Sequence, residues 1–398
     1  MHSTKAILVL GMHRSGTSAT ARTLNLLGAE LGTRLLEPGD DNTKGFWEHS
    51  DAVDINDLLL SAMDRAWDDI RALSEGWETS SAAMRAVDEI RSLVRRQFHG
   101  SPLWAVKDPR LCRVVPVWVN ALSQEQVEPL FLFVMRHPAE VAQSLARRDG
   151  ISLEFGYALW LRYVTESEMM TRGHRRVMIH YDDLLRDWRG CMNMLSRSLG
   201  IDLMHEQNKS CHREIDNYLN PGDRHHWAAL SGPFTPPAER GLEGAAVAAY
   251  QASLAIARGE GNWEDLQIYG YALDNFCAGL SNSSLALLGM VQQSRTRQFH
   301  QKVRYEQALS ALNAELSVRD EAIARLETLA YDRLAEIEAL NGRLAKTDDA
   351  IARLETMACD RLAEIEALNG RLAKMDQALA EATSLALSRL EQLHARPE

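Results

Sequence analysis

Residues 5–18 read KAILVLGMHRSGTS, and the rest of the chain can be worked out from there. Lys5–Leu10 is a short run rich in Ile, Leu and Val, the composition of a strand buried on both faces of a parallel sheet. Gly11 and Gly16 bound a loop, and a helical pattern follows over Ser18–Gly28. Strand, glycine-bounded loop and helix make a cradle for an anion, because loop N–H groups and the helix N-terminus converge on one spot. The G-x-x-x-x-G spacing is that of nucleotide-triphosphate loops, yet the lysine that follows the second glycine there is Thr17 here. A loop without that lysine suits an anion other than a triphosphate and argues against an ATPase or a kinase. Arg14 supplies positive charge instead, as a planar fork of donors.

The alternation continues downstream. Leu103–Val106, Pro129–Met135 and Arg176–Ile179 are further short apolar runs. Helical patterns lie between and after them, at Ser80–Phe98, Ala139–Arg148, Tyr157–Thr171 and Trp188–Gly200. Strands alternating with helices of this size predict an α/β domain over residues 1–235, a P-loop-like parallel sheet flanked by helices. Residues 236–300, with helical patterns at Gly244–Arg258 and Trp263–Gln293, read as a helical extension that caps this domain or leads into the next segment.

The last hundred residues are almost free of helix breakers, since Pro397 is the one proline after Pro237 and Gly342 and Gly370 are the two glycines after residue 300. They also repeat. Ala322–Lys346 recurs as Ala350–Lys374 with changes only at Leu329/Met357 and Tyr331/Cys359, an offset of four heptads. Ile323, Ala330, Ile337, Leu344, Ile351, Ala358, Ile365 and Leu372 fall seven apart, and Leu326, Leu340, Leu354 and Leu368 mark a second seam position. That second position alternates with Arg319, Arg333, Thr347 and Arg361. Glu321–Arg325 and Asp349–Arg353 are i,i+4 pairs that favour an exposed helix. The segment 301–398 therefore reads as a long C-terminal α-helical coiled coil that makes a homo-oligomer or docks on a partner. The competing reading is a solvated charged helix.

The loop Arg14-Ser15-Gly16-Thr17-Ser18 resembles the 5′-phosphosulfate loop of the sulfotransferases, whose donor is 3′-phosphoadenosine 5′-phosphosulfate (PAPS). Downstream residues extend the resemblance. Arg136 closes the Pro129–Met135 run, and Ser144 follows eight residues later on the next helix. In the family an Arg and a Ser at that separation hold the donor's 3′-phosphate, through charge-assisted and neutral hydrogen bonds. Tyr181-Asp182-Asp183-Leu184 is similar to the family's Tyr-Glu-Asp-Leu element and reads as a structural turn at a strand end. Lys107-Asp108-Pro109-Arg110 looks like the corresponding block of bacterial sulfotransferases. Lys107 and Arg110 there either reach the sulfuryl group or an anionic acceptor, or simply form salt bridges at a strand end. The resemblance covers roughly residues 5–235 and implies PAPS as donor co-substrate, with no metal.

Sulfuryl transfer also needs a base for the acceptor hydroxyl and stabilisation of the departing phosphate. The resemblance gives Arg14 the second task. Cytosolic members carry their base in a Lys-Thr-His sequence. If Lys107-Asp108-Pro109 takes that place, the His is missing. Gly45-Phe46-Trp47-Glu48-His49 resembles the region where other branches carry a catalytic Glu, which makes Glu48 the candidate base and Glu37 and His49 its rivals. Trp47 and Phe46 would give it an apolar wall of the kind that strengthens a carboxylate base. By analogy with bacterial relatives the acceptor is a hydroxyl of a carbohydrate or glycolipid. Two other readings are a phosphoadenosine-nucleotide-binding scaffold working through the coiled coil, and a P-loop small-molecule kinase.

Composition narrows the setting. A net charge of −11 over 398 residues argues against general nucleic-acid binding, which requires excess Lys and Arg. The apolar stretch near the N-terminus is too short for a signal-peptide core, and no run has the roughly 18 uncharged apolar residues of a membrane span. Five cysteines, none spaced C-x-x-C, fit a reducing compartment and offer no zinc site. The expectation is a cytoplasmic protein.

Overall fold

Four apolar runs pair into one parallel sheet. β1 (Lys5–Leu10) lies between β2 (Leu103–Lys107) and β3 (Glu128–Met135), and β4 (Arg176–His180) joins the outer side of β3, giving the order β2-β1-β3-β4. Val9 is level with Lys107 and Leu132, and Met135 with His180, so the four strands end at one edge of the sheet. The computed structural model describes residues 4–39, 42, 44–204, 209–219, 241–280 and 282–394. The chain divides into two units, Met1–Gln301 and Lys302–Glu398.

Alternate residues of each strand enter different cores, as the two-residue period of a strand requires. Ala6, Leu8 and Leu10 of β1, with Phe131, Phe133 and Met135 of β3, belong to one core. Ile7, Val9, Leu130, Leu132 and Val134 belong to the other. The first core is closed by α2 (Ser50–Ala62), α3 (Ser81–Gln97), α4 (Leu111–Gln124), α5 (Pro138–Asp149) and α6 (Leu153–Met170). α10 (Gly241–Ala257) and α11 (Leu266–Gly279) also join it. The second is closed by α1 (Thr17–Leu26), α8 (Trp188–Leu199) and α9 (Lys209–Tyr218). Helices on both faces explain why the strands read as unbroken apolar runs.

α1 leaves β1 for one face and α5 leaves β3 for the other, although the two strands are neighbours. This divergence opens a crevice at their carboxyl ends, the usual ligand position in open α/β sheets. The loop Gly11–Gly16 and Arg136 stand at that point.

Several elements depart from the expected pattern. α2, α4 and α9 form where no helix was expected. α4 carries Pro116 inside it and bends at Val114 (φ −131°, ψ 24°), which interrupts its periodicity. α6 starts at Leu153 rather than Tyr157, because the Ser152 hydroxyl caps it by accepting from the Phe155 N–H. Tyr181-Asp182-Asp183-Leu184, expected as a turn, begins a short helix, α7 (Tyr181–Arg186). The pattern Trp263–Gln293 is broken at Leu280, which is extended (φ −80°, ψ 136°). α10 and α11, from the segment expected as an extension, pack their apolar residues Leu242, Ala246, Tyr250, Leu266 and Leu273 into the first core. The boundary expected at 235/236 lies outside the described residues. α12 (Asn282–His394) runs through both sequence repeats. No helix among the described residues is long and apolar enough to cross a membrane.

Candidate active site

The loop is shaped by backbone conformations that few residues adopt. Gly16 has φ 89°, and a Cβ there would lie 2.2 Å from Cδ2 of Tyr181, so the ring of Tyr181 fits only against a glycine. Arg14 has φ 69°, a left-handed conformation that costs a non-glycine residue on the order of 1–3 kcal/mol and concentrates at functional sites. The turn closes through a Ser15 N–H to Met12 carbonyl bond of 3.1 Å, and the Gly11 N–H donates to Cys112 Sγ at 3.1 Å.

α1 opens on Gly16 with no side-chain cap, which leaves its first N–H groups to an outside acceptor. The Ser15 hydroxyl beside it is 1% exposed, and its Oγ has no partner among the described residues. A buried unpaired hydroxyl costs free energy unless a ligand completes it. Loop, helix end and hydroxyl together form an anion cradle.

Arg14, Arg136 and Ser144 come together at this cradle. Arg14 Nε donates to Ser144 Oγ at 2.9 Å, and Arg136 Nη1 donates to the Arg14 carbonyl at 3.0 Å. Ser144 is thus bonded to Arg14 rather than to Arg136, across a sequence separation of 130. Arg136 Nε is held by Glu140 at 2.8 Å, and its guanidinium stands 5.3 Å from the ring of Tyr181. Trp160 Nε1 fixes the Arg136 carbonyl at 3.2 Å. Arg136 Nη2 has no hydrogen bond among the described residues.

At the end of β2, Lys107 Nζ donates to Ser18 Oγ and to the Phe46 carbonyl, each at 3.2 Å, and pairs with the Glu48 carboxylate. Both side chains are buried. Glu48 is therefore tied to the first turn of α1 through one lysine. The Trp47 ring lies against the Arg22 guanidinium at 4.5 Å, and its Nε1 donates to the Lys44 carbonyl. The rivals stand apart from this pair. Glu37 is exposed, and His49 packs its ring on Gly32 and Phe98, where burial lowers its pKa.

Arg110 is enclosed by carboxylates. Nε donates to Asp57 at 2.5 Å and Nη1 to Asp108 at 2.9 Å, while Asn56, itself bonded by Trp118, holds the other oxygen of Asp108. Burial pushes the Asp108 carboxyl up to about 6, against the opposing pull of Arg110.

His13 was not singled out from the sequence. Its ring meets Trp67 edge-on at 4.6 Å and Tyr163 at 6.3 Å, and its buried Nε2 has no partner among the described residues. Burial holds its pKa well below 6.5, and the charges of Arg148, Arg110, Lys107 and Arg14 push it the same way. The loop thus carries a neutral imidazole among cations. Its neighbours come from α5, α6 and the α2–α3 connection, so no local spacing announces it.

No family model matches the chain, and no curated protein does. Solved structures do resemble it. The sulfotransferase domain from the Synechococcus PCC 7002 olefin synthase is 18% identical with a TM-score of 0.34, over 58% of this chain and 90% of that one. Sulfotransferase STF9 from Mycobacterium avium is 16% identical with a TM-score of 0.34, over 65% and 79%. The sulfotransferase domain from the curacin biosynthetic pathway is 14% identical with a TM-score of 0.30, over 53% and 79%.

Proposed function

We propose that the α/β unit is a sulfotransferase that moves the sulfuryl group of PAPS to a hydroxyl of an acceptor. One observation carries this reading: a lysine-free anion cradle with an unpartnered buried Ser15 hydroxyl, joined through Arg14 to Ser144 and Arg136. Two anion-binding groups side by side suit a donor that carries phosphate at two positions. The N–H groups of residues 16–18 and the Arg14 guanidinium hold the 5′-phosphosulfate. Arg136, through Nη2, and Ser144 hold the 3′-phosphate.

In the transfer, the acceptor oxygen bonds to sulfur as the bond from sulfur to the bridging phosphate oxygen breaks. The electron pair of that bond leaves with adenosine 3′,5′-bisphosphate. Arg14 and the helix N-terminus stabilise the charge gathering on the departing phosphate. Glu48 takes the proton of the acceptor hydroxyl, and Lys107 orients Glu48 against Ser18. Arg110, closed in by Asp57 and Asp108, shapes the wall behind Lys107 rather than touching the acceptor. The acceptor is assigned as a carbohydrate or glycolipid hydroxyl on the family resemblance alone. The free thiols, among them buried Cys112 and Cys191, suit work in a reducing compartment such as the cytoplasm.

Calorimetric titration with adenosine 3′,5′-bisphosphate and with ATP, followed by transfer of radiolabelled sulfate from PAPS to a panel of oligosaccharides, tests the reading. The expected result is tighter binding of the bisphosphate and label on a sugar. Preference for ATP, or transfer of its γ-phosphate, would overturn it.

A further inference from the structure

The second unit is a helix that leaves its apolar positions exposed among the described residues. Ile323, Ile337, Ile351 and Ile365, with Leu326, Leu340, Leu354 and Leu368, are each more than half exposed. A helix held by propensity alone does not account for so regular an apolar stripe, since helices in proteins gain most of their stability by burying one. With Leu309 placed at heptad position a, the isoleucines fall at a and these leucines at d. β-Branched residues at a with Leu at d favour two strands over three or four.

Charge decides the orientation. The e positions carry Asp320, Glu327, Asp348, Glu355 and Asp376 and no cation between residues 313 and 383. An antiparallel pair sets e against e and would place these acids on one another. A parallel pair sets each g against the e five residues further along its partner. That joins Arg343 to Asp348 and Arg371 to Asp376, and adds the apolar contacts Leu329–Leu334 and Met357–Leu362 beside the small Ala330 and Ala358. The single like-charged combination is Glu315 with Asp320. Arg333 and Arg361, the cations at d within the two repeats, are drawn to the g edge of their own helix by Glu336 and Glu364, at 2.6 and 2.7 Å. Self-complementary charge that recurs in both repeats points to a second copy of this chain.

We propose that residues 309–379 form a parallel, in-register, two-stranded coiled coil with a second copy of the chain. This rests on the second unit alone and is independent of the reaction assigned to the first.

The test uses the full-length protein. Light scattering should give twice the chain mass. Leu340→Cys in a Cys359→Ser background should form a covalent dimer under mild oxidation, because a d residue faces its own copy only in a parallel, in-register pair. A pair slipped by the 28-residue repeat would oppose residue 340 with 368 and leave the thiols unjoined. The wild type is the control, since Cys359 falls at position b, away from the seam. Arg343→Asp/Arg371→Asp should dissociate more readily than wild type and should pair selectively with Asp348→Arg/Asp376→Arg when the two are mixed. A monomer, a trimer, absence of the crosslink in the Leu340→Cys variant, or indifferent mixing of the charge variants would each overturn the proposal.

Discussion

Replacing Glu48 by Gln removes one half of a buried ion pair, because the Lys107 and Glu48 side chains are 3% and 7% exposed. Breaking such a pair typically costs 3–5 kcal/mol, since the remaining charge stays in a poorly solvated place. Lys107 Nζ would keep Ser18 Oγ and the Phe46 carbonyl as acceptors, which puts the expected loss near the lower end, about 3 kcal/mol. For the unit Met1–Gln301 that lowers the melting temperature by roughly 5 °C. Glu48→Gln/Lys107→Met removes both charges and should recover most of the loss, so denaturant titration of the four proteins should show strong non-additivity. Turnover separates the structural role from the chemical one. A base at Glu48 predicts that Glu48→Gln, assayed below its melting temperature, is slower by roughly 10²–10⁴ with adenosine 3′,5′-bisphosphate binding retained. The double variant should stay slow despite its recovered stability. If it regains turnover, Glu48 is only the counter-ion of Lys107. If Glu48→Gln melts with the wild type, the buried pair does not hold this edge of the site.

Arg136→Ala, made with Glu140→Gln to neutralise the buried carboxylate that Arg136 holds, should weaken adenosine 3′,5′-bisphosphate by about 2–5 kcal/mol, roughly 30- to 4,000-fold, and adenosine 5′-phosphate far less. Equal losses by calorimetry would remove the 3′-phosphate from Arg136. Gly16→Ala should abolish bisphosphate binding, because the new Cβ meets the Tyr181 ring and the backbone sits at φ 89°; normal binding would contradict the loop geometry. Acidification should expose His13. The unfolded ring takes up a proton below about 6.5 that the folded ring refuses. Stability therefore falls with pH below that value, by up to about 1.4 kcal/mol per unit from this residue, and His13→Gln should show a shallower fall. Asp108 acts in the opposite sense, since a carboxyl raised to about 6 loses stability for the fold as pH rises from the ordinary carboxylate range through 6. Identical slopes for wild type and His13→Gln would mean that the folded ring titrates normally.

The amino-acid sequence by itself determined the strands, the cradle loop and the repeat, because each is written in local spacing. Short unbroken apolar runs, a glycine where φ must be positive and heptads in phase are properties of neighbouring residues, and they survive whatever the chain does elsewhere. Helices were legible where their apolar period was clean, and α4 was not, because Pro116 and the bend at Val114 interrupt it. Only the tertiary structure decided which side chains meet. Arg14 and Ser144 are 130 residues apart, and Lys107 reaches Ser18 and Glu48 across 89 and 59. Tyr181 fills the space left by the missing Cβ of Gly16. These meetings follow from the strand order β2-β1-β3-β4, which brings the ends of distant strands to one edge of the sheet. His13 shows the same limit, since a ring's charge state depends on how deeply it is buried and on which cations the fold gathers around it, and neither is a local property of the chain.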